Sequence, residues 1–381
     1  MMTFDVPGQK SYSISDVEQI RTPRLLVFRD RVERNLARMK AYLEEVVPGS
    51  AYGHLCTHVK THKSSHIVRM MMEAGVTSFK ATLNEVDLLA RCDVNEIFVA
   101  YPLLFKDAMK LSQSIVRYPE IRFFVQIGSP AHADILREVA SREGVHFSYF
   151  IDLDVGMHRT GISPDKAFQL FSYVSGWSEF EFVGLHGYDG HIHHADAEER
   201  EQEAQKAMGS LLGVYETFRK NGVSVERVVV SGSISFRLDL DILLNRVGSK
   251  TAIQVSPGNW IYWDSNNDAI LPGAFEIAAV VLAQVIEIGE DAITLNLGHK
   301  RWGADRGPVE LFSRPDLRVR SFNEEHTVLE FTGGASFSVG DYVLIAPKHA
   351  CSTVNLYEHF TLIGEDGGIE VMASPVDGRN Q

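Results

Sequence analysis

The chain has 381 residues, 45% of them apolar, and at about 150 residues per domain that length predicts two domains with ample material for a core. A disordered or fibrous protein is excluded. Lysine and arginine number 37 against 50 acidic residues, a formal net charge of −13, which repels phosphate backbones and anionic membranes and points to a small or cationic ligand instead.

Three cysteines, Cys56, Cys92 and Cys351, are too few and too scattered for a disulfide framework and read as reduced thiols of a cytoplasmic chain. Met1 to Lys10 lacks a charged-then-apolar leader pattern, and the longest apolar candidate, Ile277 to Ala283, falls far short of the roughly 20 residues a membrane span needs. The expected location is the cytoplasm, with neither membrane nor nucleic acid as partner.

Arg24 to Phe28 reads as a strand that joins a later sheet. Asp30 to Val46 follows with Val32, Leu36, Met39 and Leu43 at helical spacing. From there strands alternate with helices. The strand candidates are His54 to Lys60, Thr77 to Thr82, Glu96 to Tyr101, Ile121 to Ile127, His146 to Asp152, Phe182 to Tyr188, Arg227 to Val230 and Thr251 to Val255. The helical segments among them are Asn84 to Arg91, Lys106 to Val116, Pro130 to Arg142 and Ala197 to Lys220, the last stopped by Asn221-Gly222. Eight such strands predict an α/β domain closed as a (β/α)8 TIM barrel over residues 30–265. After Asn259 the period changes. Ile277 to Ile288, Ala292 to Leu297, Thr327 to Phe331 and Tyr342 to Ile345 are strand-like, punctuated by Gly289, Gly333-Gly334 and Gly340. They predict an all-β domain from residues 1–29 and 266–381.

A barrel builds its site from the loops after its strands, so those loops carry the candidate residues. Strand one runs into His58-Val59-Lys60-Thr61-His62-Lys63, strand two ends in Thr82, and strand five runs into Asp152-Leu153-Asp154 with Arg159 beyond. Strand six leads to Tyr188-Asp189-Gly190-His191-Ile192-His193-His194. Strands seven and eight end in Ser231-Gly232-Ser233 and Ser256-Pro257-Gly258-Asn259, whose small residues leave backbone N–H groups free to surround a phosphate. Lys60, at a strand end between histidines, reads as a reactive amine, against the usual reading of a solvated lysine. The four histidines 186, 191, 193 and 194 read as one or two site residues with the rest solvated.

His349-Ala350-Cys351 is a second constellation. If that segment is extended, imidazole and thiolate share a face and reach one soft or borderline cation at a site with open positions. From spacing alone, an inert core cysteine is the preferred reading of Cys351.

These residues resemble a known family. Val59-Lys60-Thr61-His62-Lys63, Asp154-Val155-Gly156-Met157-His158-Arg159-Thr160-Gly161, Pro257-Gly258-Asn259, Glu324-Glu325-His326 and Pro347-Lys348-His349-Ala350-Cys351 are similar, in order and from about Thr22 to Asn355, to the D-threonine aldolase and D-serine dehydratase group of the alanine racemase-like, fold-type III pyridoxal-phosphate enzymes. The resemblance implies that Lys60 carries pyridoxal 5'-phosphate as a Schiff base and that Arg159 lies near its ring, and Tyr188 is an expected cofactor-binding and catalytic residue. The expected phosphate site, from the small residues after strands seven and eight, is Ser231, Gly232, Ser233, Gly258 and Asn259. The resemblance also implies a divalent metal, zinc or manganese, on His349 and Cys351, reversing the preference from spacing, and a homodimer. The chain departs from the group at Cys56-Thr57-His58, where Arg-Pro-His is common, and in a strand-seven loop less rich in glycine. Gln254 is a weak candidate for the partner of the pyridine nitrogen.

Tyr188-Asp189-Gly190 followed by His194 resembles the aldolase branch, with His194 or His191 as base. The expected activity is cleavage of β-hydroxy-D-amino acids to glycine and an aldehyde. The alternative is elimination to a keto acid and ammonia, followed by a racemase and a non-catalytic cofactor carrier.

Overall fold

The computed structural model describes residues 1–308, 311–331 and 336–379, which fall into two compact units. One takes residues 40–60 and 68–258; the other takes 1–39, 61–67 and the described residues from 259 to 379. Gly333 and Gly334 lie outside the described residues.

Among the described residues, the first unit holds eight parallel strands, each hydrogen-bonded to the next in chain order. They are Cys56–His58, Ser78–Ala81, Glu96–Val99, Arg122–Ile127, Phe147–Leu153, Phe180–Gly187, Arg227–Val230 and Ala252–Val255. A parallel bridge between Leu55 and Val255 closes the ring, with the Val255 N–H on the His54 carbonyl at 2.8 Å. The expected barrel is therefore present.

Its helices start and stop where local chemistry dictates. Pro130–Glu143 begins with Ser129 Oγ accepting the His132 N–H and with a proline that needs no amide partner, and ends at Gly144 in the left-handed region at φ 66°. Ala197–Lys220 is capped by Asp196, which accepts the N–H groups of Glu198 and Glu199. Three helices escaped the sequence reading: Ser65–Glu73, Ala167–Val174 and Phe236–Leu244. The last carries Phe236, Leu238, Leu240 and Ile242 at period two, which mimics a strand.

The barrel interior is layered. Toward the N-terminal ends of the strands, Arg227 pairs with Glu96 at 2.6 Å. Above it lies an apolar layer of Cys56, Phe98, Phe124, Phe150, Val183 and Val229. Gln126 follows Phe124 and Asp152 follows Phe150 by the two residues that return a strand to one face, so the layer nearer the C-terminal ends is polar.

The second unit is built on a nine-stranded sheet of described residues, ordered Leu317–Phe322, Thr327–Phe331, Ala292–Leu295, Ala279–Ile288, Arg24–Phe28, His359–Ile363 and Ile369–Pro375. Tyr342–Ala346 pairs with Ala279–Ile288 and with Leu311–Phe312. Arg24–Phe28 lies inside this sheet, as expected from its pattern. Two short helices, Ser265–Ile270 and Ala350–Val354, correct the all-β expectation. No helix among the described residues is long and apolar enough to cross a membrane.

Candidate active site

In the barrel unit, Lys60 stands two residues past strand one, its backbone N–H donated to His58 Nδ1 at 3.3 Å. Its Nζ lies 5.1 Å from the centroid of the Tyr188 ring. Arg159 Cζ is 5.2 Å from the same centroid. The loop bearing Arg159 folds back onto strand five, where Ile162 donates to the Asp152 carbonyl at 2.8 Å. Asp154 fixes that loop by accepting the N–H groups of Gly156 and His158 at 3.1 and 2.9 Å. Burial pushes its carboxyl upward, but these bonds and the His158 ring outweigh burial and hold it below the usual range. Lys63 belongs to the other unit, where its Nζ is 3.4 Å from the Gly378 carbonyl.

The loops after strands seven and eight do meet, since Gly258 N–H donates to Ser233 Oγ at 3.1 Å. Two of their amides, those of Gly232 and Gly258, are bonded within the protein. Gly232 N–H donates to Asp189 Oδ1 at 2.6 Å, because a carboxylate with no exposure to water must find a donor. Beside it Asp239 is equally buried, and its carboxyl is pushed well above the usual range by burial first and then by the charge and hydrogen bond of Asp189. Ser231 carries a positive φ of 83° at the start of this turn. Asn259, in the other unit, donates from Nδ2 to Asp264 Oδ2 at 2.5 Å.

The histidines separate. His191 packs against the strand-five loop, its Nε2 only 2.8 Å from where a Cβ on Gly156 would stand. His193 is exposed and bonds back to the His191 carbonyl. His194 sits at the surface with Nδ1 3.4 Å from Glu199 Oε2. Thr82 has a structural task, its N–H and Oγ1 both donating to Glu85 Oε2 to start helix Leu83–Ala90. Gln254 Oε1 is 3.4 Å from Arg227 at the N-terminal end of the barrel, away from Lys60.

Sequence reasoning missed the group beneath Tyr188. Lys80 Nζ lies 2.7 Å from His186 Nε2 and 5.4 Å from the Tyr188 centroid, and His186 Nδ1 is 2.7 Å from Asp152 Oδ1. Burial draws the Lys80 amine down to about 7 and the His186 ring down to about 4. The signal was available, because Ser78 and Lys80 share the inward face of a strand whose other residues are Phe79 and Ala81.

The chemistry of this set fits a phosphorylated aromatic aldehyde: an amine for the carbonyl carbon, an aromatic face for the ring, and a guanidinium beside it. In the second unit, His349 is extended and caps a helix in which Cys351 is the second residue, so the segment is not the strand that the i, i+2 argument assumed. The Cys351 thiol still acts on the His349 imidazole and favours its charged form. His349 Nδ1 is 2.5 Å from Asp305 Oδ2, which orients the ring as a carboxylate orients a metal-binding histidine. Burial opposes the imidazolium, but Cys351 and then Asp305 raise His349 to about 9. Cys351 Sγ lies 3.1 Å from Oγ1 of Thr61, the residue after Lys60 in the chain. No group of three or more potential ligands converges among the described residues. Imidazole, thiol and an orienting carboxylate are the donor chemistry of a divalent-metal site that keeps its other positions open.

Residues 27–250 match the family described as alanine racemase, N-terminal domain, and residues 278–363 match a serine dehydratase domain. The chain is 23% identical to a D-threonine aldolase of Arthrobacter sp, covering 92% of this chain and 91% of that protein. It is 24% identical to the D-threo-3-hydroxyaspartate dehydratase of Delftia sp. (strain HT23), over 92% of this chain and 96% of that one. The solved D-threonine aldolase from Filomicrobium marinum superposes with a TM-score of 0.84 at 24% identity, over 94% of this chain and 95% of that one.

Proposed function

The chain belongs to the alanine racemase N-terminal domain family, and from that premise we propose that it is a pyridoxal-phosphate- and metal-dependent lyase cleaving β-hydroxy-D-amino acids to glycine and an aldehyde. The observation that carries this reading is the approach of the Lys60 amine and the Arg159 guanidinium, at 5.1 and 5.2 Å, to one Tyr188 ring.

Lys60 is the residue to hold the cofactor covalently, Tyr188 to pack on its ring and Arg159 to lie beside it. Ser231, Gly232, Ser233 and Gly258 are the residues to line its phosphate. Bound cofactor supplies the electron sink for breaking a bond at Cα. His349 and Cys351 are the pair to hold zinc or manganese, which supplies Lewis acidity when bound. A base must take the proton of the β-hydroxyl oxygen. His191 is better supported in that role than His194, because it packs on the loop that carries Arg159 while His194 faces Glu199.

The match of residues 278–363 to a serine dehydratase domain favours a second reading, elimination to a keto acid and ammonia, in which the Lys60 amine takes the Cα proton. Product analysis separates the two. The protein is incubated with pyridoxal phosphate, zinc or manganese, and D-threonine, D-serine or D-threo-3-phenylserine. Glycine with aldehyde is expected; keto acid with ammonia establishes the second reading, and no product from any of them removes both. The cofactor absorption band should vanish in Lys60→Ala and persist in Lys63→Ala. A chelator should stop turnover while leaving that band and the Tm unchanged, and light scattering of the same sample should read a homodimer.

A further inference from the structure

We propose that Lys80 is the proton donor of this site, its amine held in the barrel interior by a His186–Asp152 pair beneath Tyr188. The role in turnover rests on the lyase reading above; the proton-holding string itself does not.

A lysine amine is seldom buried without a carboxylate in contact, and Lys80 is only 2% exposed with none in contact among the described residues. Its partners are His186 Nε2 at 2.7 Å and Ser256 Oγ at 3.0 Å. The direction of every proton follows from the far end. Gln126 Nε2 donates to Asp152 Oδ2 at 3.0 Å, and Asp152 Oδ1 lies 2.7 Å from His186 Nδ1. An ionised carboxylate only accepts, so His186 carries its proton on Nδ1 and offers Nε2 as an acceptor. Ser256 Oγ donates to the Val230 carbonyl at 2.8 Å and therefore accepts from Lys80. Lys80 thus donates twice. Its third position is an N–H in the ammonium and a lone pair in the amine.

Gln126, Asp152, His186 and Ser256 are 4%, 2%, 3% and 2% exposed, so the string reaches no solvent at its Asp152 end. A proton enters or leaves it at Lys80, whose Nζ lies 5.4 Å from the ring that Lys60 also faces. This is an amine, a histidine and an orienting carboxylate in the sequence that activates serine hydroxyls elsewhere. Cys56, Lys60, Asp152 and Asp189 act on the Lys80 charge from neighbouring elements, and Arg159 acts on His186. Burial is the strongest of these influences, and it brings the amine to about 7, where it exchanges a proton readily at neutral pH.

Fission of a β-hydroxy amino acid takes one proton off the β-oxygen and puts one on Cα, so the site needs an acceptor and a donor. His191 takes the first. Lys80 gives the second from its free N–H, whose bonding pair stays on nitrogen as the amine lone pair.

Two measurements test this. The first is a carbon NMR titration of protein labelled at lysine Cε, without added cofactor. One lysine should titrate near pH 7, be missing in Lys80→Met, and titrate at lower pH in Asp152→Asn, because the carboxylate that favours the ammonium is gone. If no lysine titrates below pH 9, or Asp152→Asn leaves the midpoint in place or raises it, the string does not hold the proton and the proposal fails. The second uses protein loaded with pyridoxal phosphate. Lys80→Met should keep the Lys60-dependent band, lose about 100-fold in kcat with little change in KM, and lose the limb of the pH profile near 7. Wild-type turnover with an unchanged profile in Lys80→Met overturns the donor role. Failure of the wild type to bind pyridoxal phosphate sinks the lyase reading instead, and the NMR titration still decides whether Lys80 holds the proton.

Discussion

Gly190 shows how one missing side chain shapes the candidate site. A Cβ there would stand 2.3 Å from the Cζ and hydroxyl of Tyr188, inside any permitted contact. That ring is the surface faced by Lys60, Lys80 and Arg159 at 5.1, 5.4 and 5.2 Å, so its position matters to all three. Gly190→Ala must displace the ring. Pyridoxal phosphate affinity should fall by about tenfold or more, equivalent to roughly 1.4 kcal/mol, with the Tm nearly unchanged. Spectroscopic titration with the cofactor checks it, and wild-type affinity would show that the ring is not where the cofactor packs.

At the scale of elements, glycines divide by what surrounds them. Gly184 lies in strand six where the register shifts against strand five, and a Cβ there would stand 1.7 Å from the Arg227 carbonyl of strand seven. Gly184→Ala has to push these paired strands apart and should cost about 1–3 kcal/mol, the range for overpacking a tight interior. Gly209 and Gly213 lie on the exposed side of helix Ala197–Lys220 with nothing within 4 Å of an added methyl, so alanine there adds only helix propensity. Each should gain about 0.5–1 kcal/mol. Urea denaturation should therefore give shifts of opposite sign for the same chemical change, read as midpoints at constant slope.

For the whole molecule, the buried imidazoles set the response to acid. His62 is fully buried, with Nδ1 accepting the Ser64 N–H at 3.2 Å, and burial lowers it to about 3. His186 is lowered to about 4 by burial first and then by the charge of Lys80. Both have folded values below the unfolded value of about 6.5, so between these limits the unfolded chain binds more protons. Their contribution is fully present above about pH 6.5 and is lost as pH falls toward 4 and then 3. The Tm should drop between pH 7 and pH 5, and His62→Gln and His186→Gln should each flatten that drop. Variants as acid-sensitive as the wild type would place the cause elsewhere.

The sequence by itself determined the alternation of strands and helices, the end of strand one as the place of Lys60, and the full extent of helix Ala197–Lys220. These are local properties. A side-chain period, a capping aspartate and a hydrogen-bond ladder are each legible within a few residues of chain. Only the tertiary structure decided that Asp189 would take the Gly232 amide 43 residues away, and that Lys80 would meet His186 across 106 residues. It also set Cys351 in the first turn of a helix instead of on a strand. Closing the ring through Leu55 and Val255 fixes the stagger of all eight strands at once, and that stagger chooses which inward side chains share a layer. No window of sequence contains that choice, because it is made by pairing between residues that are distant in the chain.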